Sequence, residues 1–169
     1  MDNDDFKEML FALRDAEAEF LVVGAHALAA QGFVRATGGL DIWVRPTPDN
    51  ARRVAKAFEA FGGAPLSVFG VSEEDLASPG IGIAIGAEPV RIDLHTNIAG
   101  LDYADADADA DADAMRTTLF AIPVRVLSHR ALIAAKRASL AKRPEGSPKS
   151  AQDAADLAWL ESRAPKKSR

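Results

Sequence analysis

Two apolar runs, Leu40-Asp41-Ile42-Trp43-Val44 and Val90-Arg91-Ile92-Asp93-Leu94-His95, each carry an acid out of phase with their aliphatic residues. The alternation has the period of two that marks a strand buried on at least one face. A carboxylate on such a strand costs on the order of several kcal/mol unless it meets a cation. Asp41 opposes Leu40, Ile42 and Val44, and Asp93 opposes Val90, Ile92 and Leu94, with Arg91 and His95 beside it. Two explanations stand open for each acid, a structural ion pair or a metal ligand.

The surrounding pattern supplies a framework for these strands. Phe6, Met9, Leu10 and Leu13 recur at helical spacing and predict an amphipathic helix over 4–16. Phe20 to Val23 reads as a buried strand ending at Gly24, followed by a short helix from His26 to Gln31 that stops at Gly32. Thr47-Pro48 is a good N-cap and first-turn pair for a helix over 48–61. Residues 81–86 and 89–95 are expected to form a hairpin around Ala87-Glu88. A strand from Leu119 to Leu127 follows, then helices over 131–142 and 151–163, separated by Pro144, Gly146 and Pro148. Crossovers mixed with hairpins predict an α+β fold: a mixed twisted sheet flanked by helices, with the C-terminal helices packed over it. The Asp-Ala repeat at 102–114 puts like charges around a helix or along one face of a strand, so a mobile exposed loop is the expectation there. One domain over 1–163 with a basic tail at 164–169 accounts for the whole length.

Composition narrows the function classes. There are no cysteines, which excludes disulfides, zinc–thiolate sites and thiol nucleophiles and suits a reducing cytoplasm. No apolar run is long enough to span a membrane, and the acidic start at Met1 to Glu8 argues against a secretory signal. The net charge of −5 hides an asymmetry. Residues 129–169 hold ten Lys/Arg against four Asp/Glu, whereas residues 1–128 hold ten against twenty-one. The basic third either faces phosphates or is a solvated helical hairpin.

Ahead of Asp41, Val22-Val23-Gly24-Ala25 closes one strand and opens a helix, so backbone N–H groups at 24–26 can cradle a phosphate. Arg35-Ala36-Thr37-Gly38-Gly39 then leads into the acidic strand, where Arg35 beside Thr37 either steers a triphosphate or pairs with an acid. The phrases FLVVGAHALAAQGFVRATGGLDIWVRP (20–46), VRIDLHT (90–96), LIAAKRAS (132–139) and QDAADLAWLE (152–161) together resemble the nucleotidyltransferase superfamily with the DNA polymerase β-like fold. The closest resemblance is to the small bacterial minimal nucleotidyltransferases and the AbiEii-type toxin nucleotidyltransferases. The resemblance implies Mg²⁺ (or Mn²⁺) held by carboxylates, an NTP substrate, and transfer of a nucleoside monophosphate to a hydroxyl on protein or RNA. It also implies a place in a toxin–antitoxin pair, with a cognate toxin or antitoxin as partner.

On that resemblance Gly24 and Ala25 match the glycine turn, Asp41 the second acid of the metal-binding pair, and Asp93 the third acid. Lys136 and Asp153, with Asp156 a turn later, match a lysine and acid on the closing helices. Asp41, Asp93, Lys136 and Asp153 are therefore the expected catalytic set, Asp41 and Asp93 the metal ligands, and Gly24, Ala25, Arg35 and Thr37 the nucleotide-binding residues. The sequence departs from the pattern at Ala25, at Gln152 in place of a basic residue, and above all at Gly39. Gly39 stands where the first acid belongs and is expected to leave a gap on the strand face. A protein so altered is either a weakened enzyme or a pseudo-nucleotidyltransferase that binds a nucleotide or partner without catalysis. His26 is a candidate phosphate contact or a turn residue, and His95 a candidate metal ligand.

Overall fold

The structure is a computed structural model and describes residues 4–112 and 116–163. A four-stranded sheet organises it. The strands are β1 (Phe20–Val23), β2 (Gly39–Val44), β3 (Gly82–Ile85) and β4 (Arg91–His95), in spatial order β1-β2-β4-β3. β2 pairs antiparallel with β1 and parallel with β4, and β3 pairs antiparallel with β4, so the sheet is mixed and the class is α+β. A second hairpin, β5 (Arg116–Leu119) and β6 (Ile122–Arg125), abuts the β1 edge through a parallel bridge between Val22 and Val126.

Helices α1 (Asp4–Asp15) and α3 (Pro48–Ala60) pack on each other and feed one core. Phe6, Met9, Leu10 and Leu13 meet Val54, Ala57 and Phe58 there, along with Leu40, Ile42, Ile92 and Leu94 from the sheet. All of these are almost inaccessible to water, which is where most of the folding free energy arises. Thr47 caps α3 by accepting from the Asn50 N–H, with Pro48 in the first turn, as its sequence predicts. Asn50 is buried and fully used: its amide ties the Glu19 backbone and the Arg45 carbonyl to the start of α3. Short turns follow, including α4 (Glu73–Leu76), which Ser72 and Asp75 close in a capping box.

Helices α2 (Gly24–Gln31), α6 (His129–Lys142) and α7 (Pro148–Glu161) complete the framework. Ser128 caps α6 and Ser147 caps α7, and Pro148 opens α7 rather than breaking the chain before it. The α6–α7 hairpin is locked by buried His129, whose Nε2 donates to the Leu160 carbonyl over 2.7 Å.

Two expectations are overturned. The segment from Leu119 to Leu127 is not one strand, because Phe120 and Ala121 turn the chain with φ of 50° and 67°. Neither is a turn-forming residue type, so the reversal leaves no mark in the sequence. The Asp-Ala repeat is not a mobile loop: Tyr103–Ala112 form helix α5. Asp102 begins it by accepting from the Asp105 N–H, and Tyr103, Ala106 and Ala110 are buried along one side. The like charges are answered by arginines from elsewhere in the chain. Asp107 pairs with Arg45 at 3.0 Å and with Arg125 at 2.5 Å, Asp109 with Arg130, and Asp111 with Arg125 and Arg116. Residues 113–114 of the repeat and the basic tail lie outside the described residues.

This arrangement separates acids that hold α5 from acids that merely decorate it. Asp107→Ala is expected to lower stability by about 1–3 kcal/mol, since it strips two arginines of a shared, half-buried partner. Asp105→Ala, on the exposed side, is expected to change stability by less than about 0.5 kcal/mol. Urea unfolding of the two variants beside the parent checks the contrast.

Candidate functional site

Pairing in parallel fixes the geometry of the site. The β2–β4 register sets Gly39 against Arg91, Asp41 against Asp93 and Trp43 against His95. The alternation of strand side chains then places Gly39, Asp41 and Trp43 on one face beside Arg91, Asp93 and His95. At its far end this face is covered by α5, where Tyr103 packs edge-on to Trp43 at 5.0 Å and Arg45 stacks over the Tyr103 ring. Trp43 is thus a core residue. Around Asp41 and Asp93 the face opens into a cleft of about 370 Å³, roofed by the α6–α7 hairpin.

Every residue of the expected catalytic and nucleotide-binding sets lines this cleft: Gly24, Ala25, Arg35, Thr37, Asp41, Asp93, Lys136 and Asp153. They come from the β1–α2 turn, the α2–β2 loop, two strands and two helices, so no local pattern would have gathered them. Joining them are Gly38, Glu88, Arg91, His95, Arg143, Lys149 and Gln152. The lining carries five Lys/Arg side chains (Arg35, Arg91, Lys136, Arg143, Lys149) and four carboxylates (Asp41, Glu88, Asp93, Asp153).

Gly24 is required twice over. Its φ of +66° suits glycine, and a Cβ there would lie 2.5 Å from Asp41 Oδ2. The Asp41 carboxylate therefore sits directly against the turn that opens α2, where the helix N-terminus favours negative charge. Its other oxygen lies 3.3 Å from His95 Nε2. His26 turns away from the cleft. It packs against Phe6 and Phe120, and burial lowers its pKa, an effect that the Asp41 charge partly opposes. A neutral imidazole facing aromatic rings is not a phosphate contact.

Asp93 receives both Nε and Nη2 of Arg91 on a single oxygen, at 2.9 and 2.8 Å. That hydrogen bond, and the charge behind it, raise the Arg91 pKa further above its already high value. Gly39, facing Arg91 across the strands, does not leave the expected gap: a Cβ there would overlap the Arg91 carbonyl oxygen. The strands approach so closely that no side chain fits, and the cation of Arg91 stands on this face where a further acid was looked for. Thr37 spends its hydroxyl on the Gly39 backbone, donating to the carbonyl over 2.9 Å and shaping the turn into β2.

Asp156, fully buried, organises the roof. Its Oδ1 accepts from Arg35 Nε at 3.0 Å and Gln152 Nε2 at 3.1 Å. Its Oδ2 accepts from Arg35 Nη2 at 2.9 Å and lies 2.8 Å from Lys136 Nζ. Arg35 is thus paired with an acid. Lys136 also bonds Asp153 Oδ1 at 3.1 Å, and Arg143 bonds Asp153 Oδ2 at 2.6 Å. Both oxygens of Asp153 are engaged with cations. Burial alone would raise the Asp156 pKa, but the hydrogen bonds from Arg35 and Lys136 outweigh it and the net shift is downward. The sequence placed Asp156 one turn beyond Asp153. It did not show that this residue ties the α2–β2 loop to both closing helices.

As for a metal, Asp41 and Asp93 are cross-strand neighbours on one face and would suit a single oxygen-liking divalent ion completed by water and ligand oxygens. Among the described residues no group of three or more His, Cys, Asp or Glu side chains is placed to hold an ion, so the donor set does not suit two. No helix among the described residues is long and apolar enough to cross a membrane.

Neither a protein-family model nor a curated protein matches this chain. The fold and the site therefore define it on their own: an α+β protein with a charged cleft of about 370 Å³ between a mixed sheet and a helical hairpin.

Two outcomes test this geometry. Gly39→Ala is expected to destabilise the protein by about 1–3 kcal/mol, because rigid backbone blocks the new methyl group. Gly38→Ala should cost less, since only the flexible Glu88 side chain must move; thermal melts of both compare them. Asp156→Asn is expected to cost about 3 kcal/mol near neutral pH. A carboxylate with a depressed folded pKa stabilises fully above its unfolded pKa and loses that effect as pH falls through the folded value. The gap between the parent and Asp156→Asn should therefore hold at pH 7 and close below about pH 4, read by unfolding across pH.

Proposed function

We propose that this is a nucleotidyltransferase-like protein that binds a nucleoside triphosphate in the cleft between the sheet and the α6–α7 hairpin. The observation that carries the reading is the convergence, in one cleft, of a glycine turn, two cross-strand carboxylates and five basic side chains from separate parts of the chain. A polyanion with a planar base and a sugar needs cations at one end and a cleft of at least a few hundred Å³, and both are present. Lys149 and Arg143 at the α6–α7 turn, with Arg91 on the sheet, are the side chains that meet phosphate oxygens. Lys136, held on two sides by Asp153 and Asp156, has one further N–H to offer.

In the enzymatic form of this reading, Asp41 and Asp93 would hold one Mg²⁺ (or Mn²⁺), which supplies charge neutralisation as an acceptor hydroxyl on protein or RNA displaces pyrophosphate. Asp156 keeps Arg35 and Lys136 in place for that ligand, and Gly24 keeps the carboxylate of Asp41 against the α2 terminus. A second reading, a pseudo-nucleotidyltransferase that binds nucleotide or a partner without transfer, is favoured by two observations. Arg91 already occupies Asp93, and Gly39 has no room for the missing first acid. A role in a toxin–antitoxin pair and a cytoplasmic location belong to the same proposal.

Titration with fluorescent and unlabelled ATP, GTP, CTP and UTP tests the binding shared by both readings. Lys149→Ala, which removes a cleft cation with no acid partner among the described residues, is expected to weaken the favoured nucleotide about five-fold, on the order of 1 kcal/mol. Incubation with α-labelled NTP, Mg²⁺ or Mn²⁺ and cell lysate then separates the two. Labelled protein or RNA that disappears in Asp41→Ala supports transfer, whereas binding with no labelled product supports the module. No NTP bound under any condition would end the transfer reading and the nucleotide-binding module alike.

A further inference from the structure

We propose that Arg91 is a built-in counter-cation of Asp93 that holds the position of a divalent ion and thereby sets the metal dependence of this cleft. Its nucleotide arm rests on the function proposed above; its metal arm does not.

The geometry behind it is local. Arg91 and Asp93 are two residues apart on β4, so their side chains rise from the same face of the sheet. Nε and Nη2 converge on Asp93 Oδ1, which leaves Oδ2 without a guanidinium partner and leaves Nη1, with the second hydrogen of Nη2, free to donate elsewhere. Arg91 also lies in the fields of Glu88 and Asp41, so three carboxylates favour its charge. Gly39, its cross-strand partner, cannot carry a side chain without moving the Arg91 carbonyl, so no acid can be added there to draw a cation off Asp93.

Electrostatics then decides the competition. A guanidinium and a divalent ion both seek the carboxylate oxygens, and each repels the other when they share one acid. The guanidinium is tethered two residues away and binds with preset geometry, whereas a metal ion must be taken from solution and lose water. Arg91 thus lowers the affinity of the Asp41–Asp93 pair for Mg²⁺ or Mn²⁺. Its unused donors suit phosphate oxygens, so a triphosphate finds a cation on this face with no metal present.

The test uses the full chain with Mn²⁺ alone, by electron paramagnetic resonance, and ATP binding in EDTA or in Mg²⁺, by calorimetry. Arg91 is half-exposed, so Arg91→Ala and Arg91→Gln are expected to fold, and circular dichroism confirms this before binding is read. Both variants should bind Mn²⁺ at least tenfold more tightly than the parent, and adding Asp93→Asn should abolish the gain. The parent should bind ATP in EDTA, with Mg²⁺ changing its Kd less than threefold. The variants should lose at least tenfold in EDTA and recover most of it in Mg²⁺. Equal Mn²⁺ affinity in parent and variants overturns the proposal, as does ATP binding by the parent that depends on Mg²⁺. If the Mn²⁺ difference appears but ATP binds nowhere, the role of Arg91 toward the metal stands and the nucleotide reading falls.

Discussion

The parallel pairing of β2 with β4 is the constraint on which the rest of this molecule turns. A parallel neighbour cannot be reached by a tight turn, so the chain between the two strands must travel over α3 and the turns after it and return through β3. That path brings Asp41 and Asp93 side by side although they are far apart in sequence. It also presses the Gly39 and Arg91 backbones together at the start of β2, which is why glycine stands there. A slip of one residue in either strand would turn its carboxylate into the aliphatic core of Leu40, Ile42, Ile92 and Leu94.

Around this pair, the structure handles buried charge by one method repeated in three places. Asp93 is met by Arg91, Asp153 and Asp156 by Lys136 with Arg143 and Arg35, and Asp107 by Arg45 and Arg125. In each, the acid is the less exposed partner and the arginine or lysine reaches in from another segment, or from two residues along. Long cationic side chains can bury their stems and still present their heads, whereas a short carboxylate must sit where its backbone puts it. Ion pairs of this kind add little stability over an apolar core, but they are costly to break singly and so fix which segments meet.

This also explains what could be read in advance. The amphipathic helices, the β3–β4 hairpin, the Thr47-Pro48 cap and the α+β class follow from periodicity and turn chemistry, which are local. Of the cleft residues, Gly24, Asp41 and Asp93 were legible because a glycine turn and two acids stand out against apolar strands, whereas Lys136 and Asp153 rested on the resemblance alone. What escaped depended on partners distant in sequence. The Asp-Ala repeat reads as unfavourable in any regular state until Arg45, Arg125 and Arg130 are brought to it, and then alanine's helix preference prevails. The Phe120-Ala121 reversal is held by Phe120 packing against Phe6 and His26, a contact that no turn signal announces. The assumed gap at Gly39 failed for a similar reason, since the space belongs to the backbone of another strand.

The charge distribution across the cleft bears on what it can hold. On the sheet side, three carboxylates (Asp41, Glu88 and Asp93) are opposed by Arg91, a net of about two negative charges. On the helical side, Arg35, Lys136 and Arg143 oppose Asp153 and Asp156, and Lys149 adds a positive charge at the rim. The cleft is therefore polarised, acidic at its floor and basic at its roof. A bare metal ion satisfies only the floor, and a bare phosphate only the roof. On the function proposed above, a nucleoside triphosphate would satisfy both, with its phosphates toward the α6–α7 turn and a cation, Arg91 or a divalent ion, screening them from the two aspartates. Under that proposal, the choice of cation would separate a binding module from an enzyme, and it would come down to two side chains on one strand, Arg91 and Asp93.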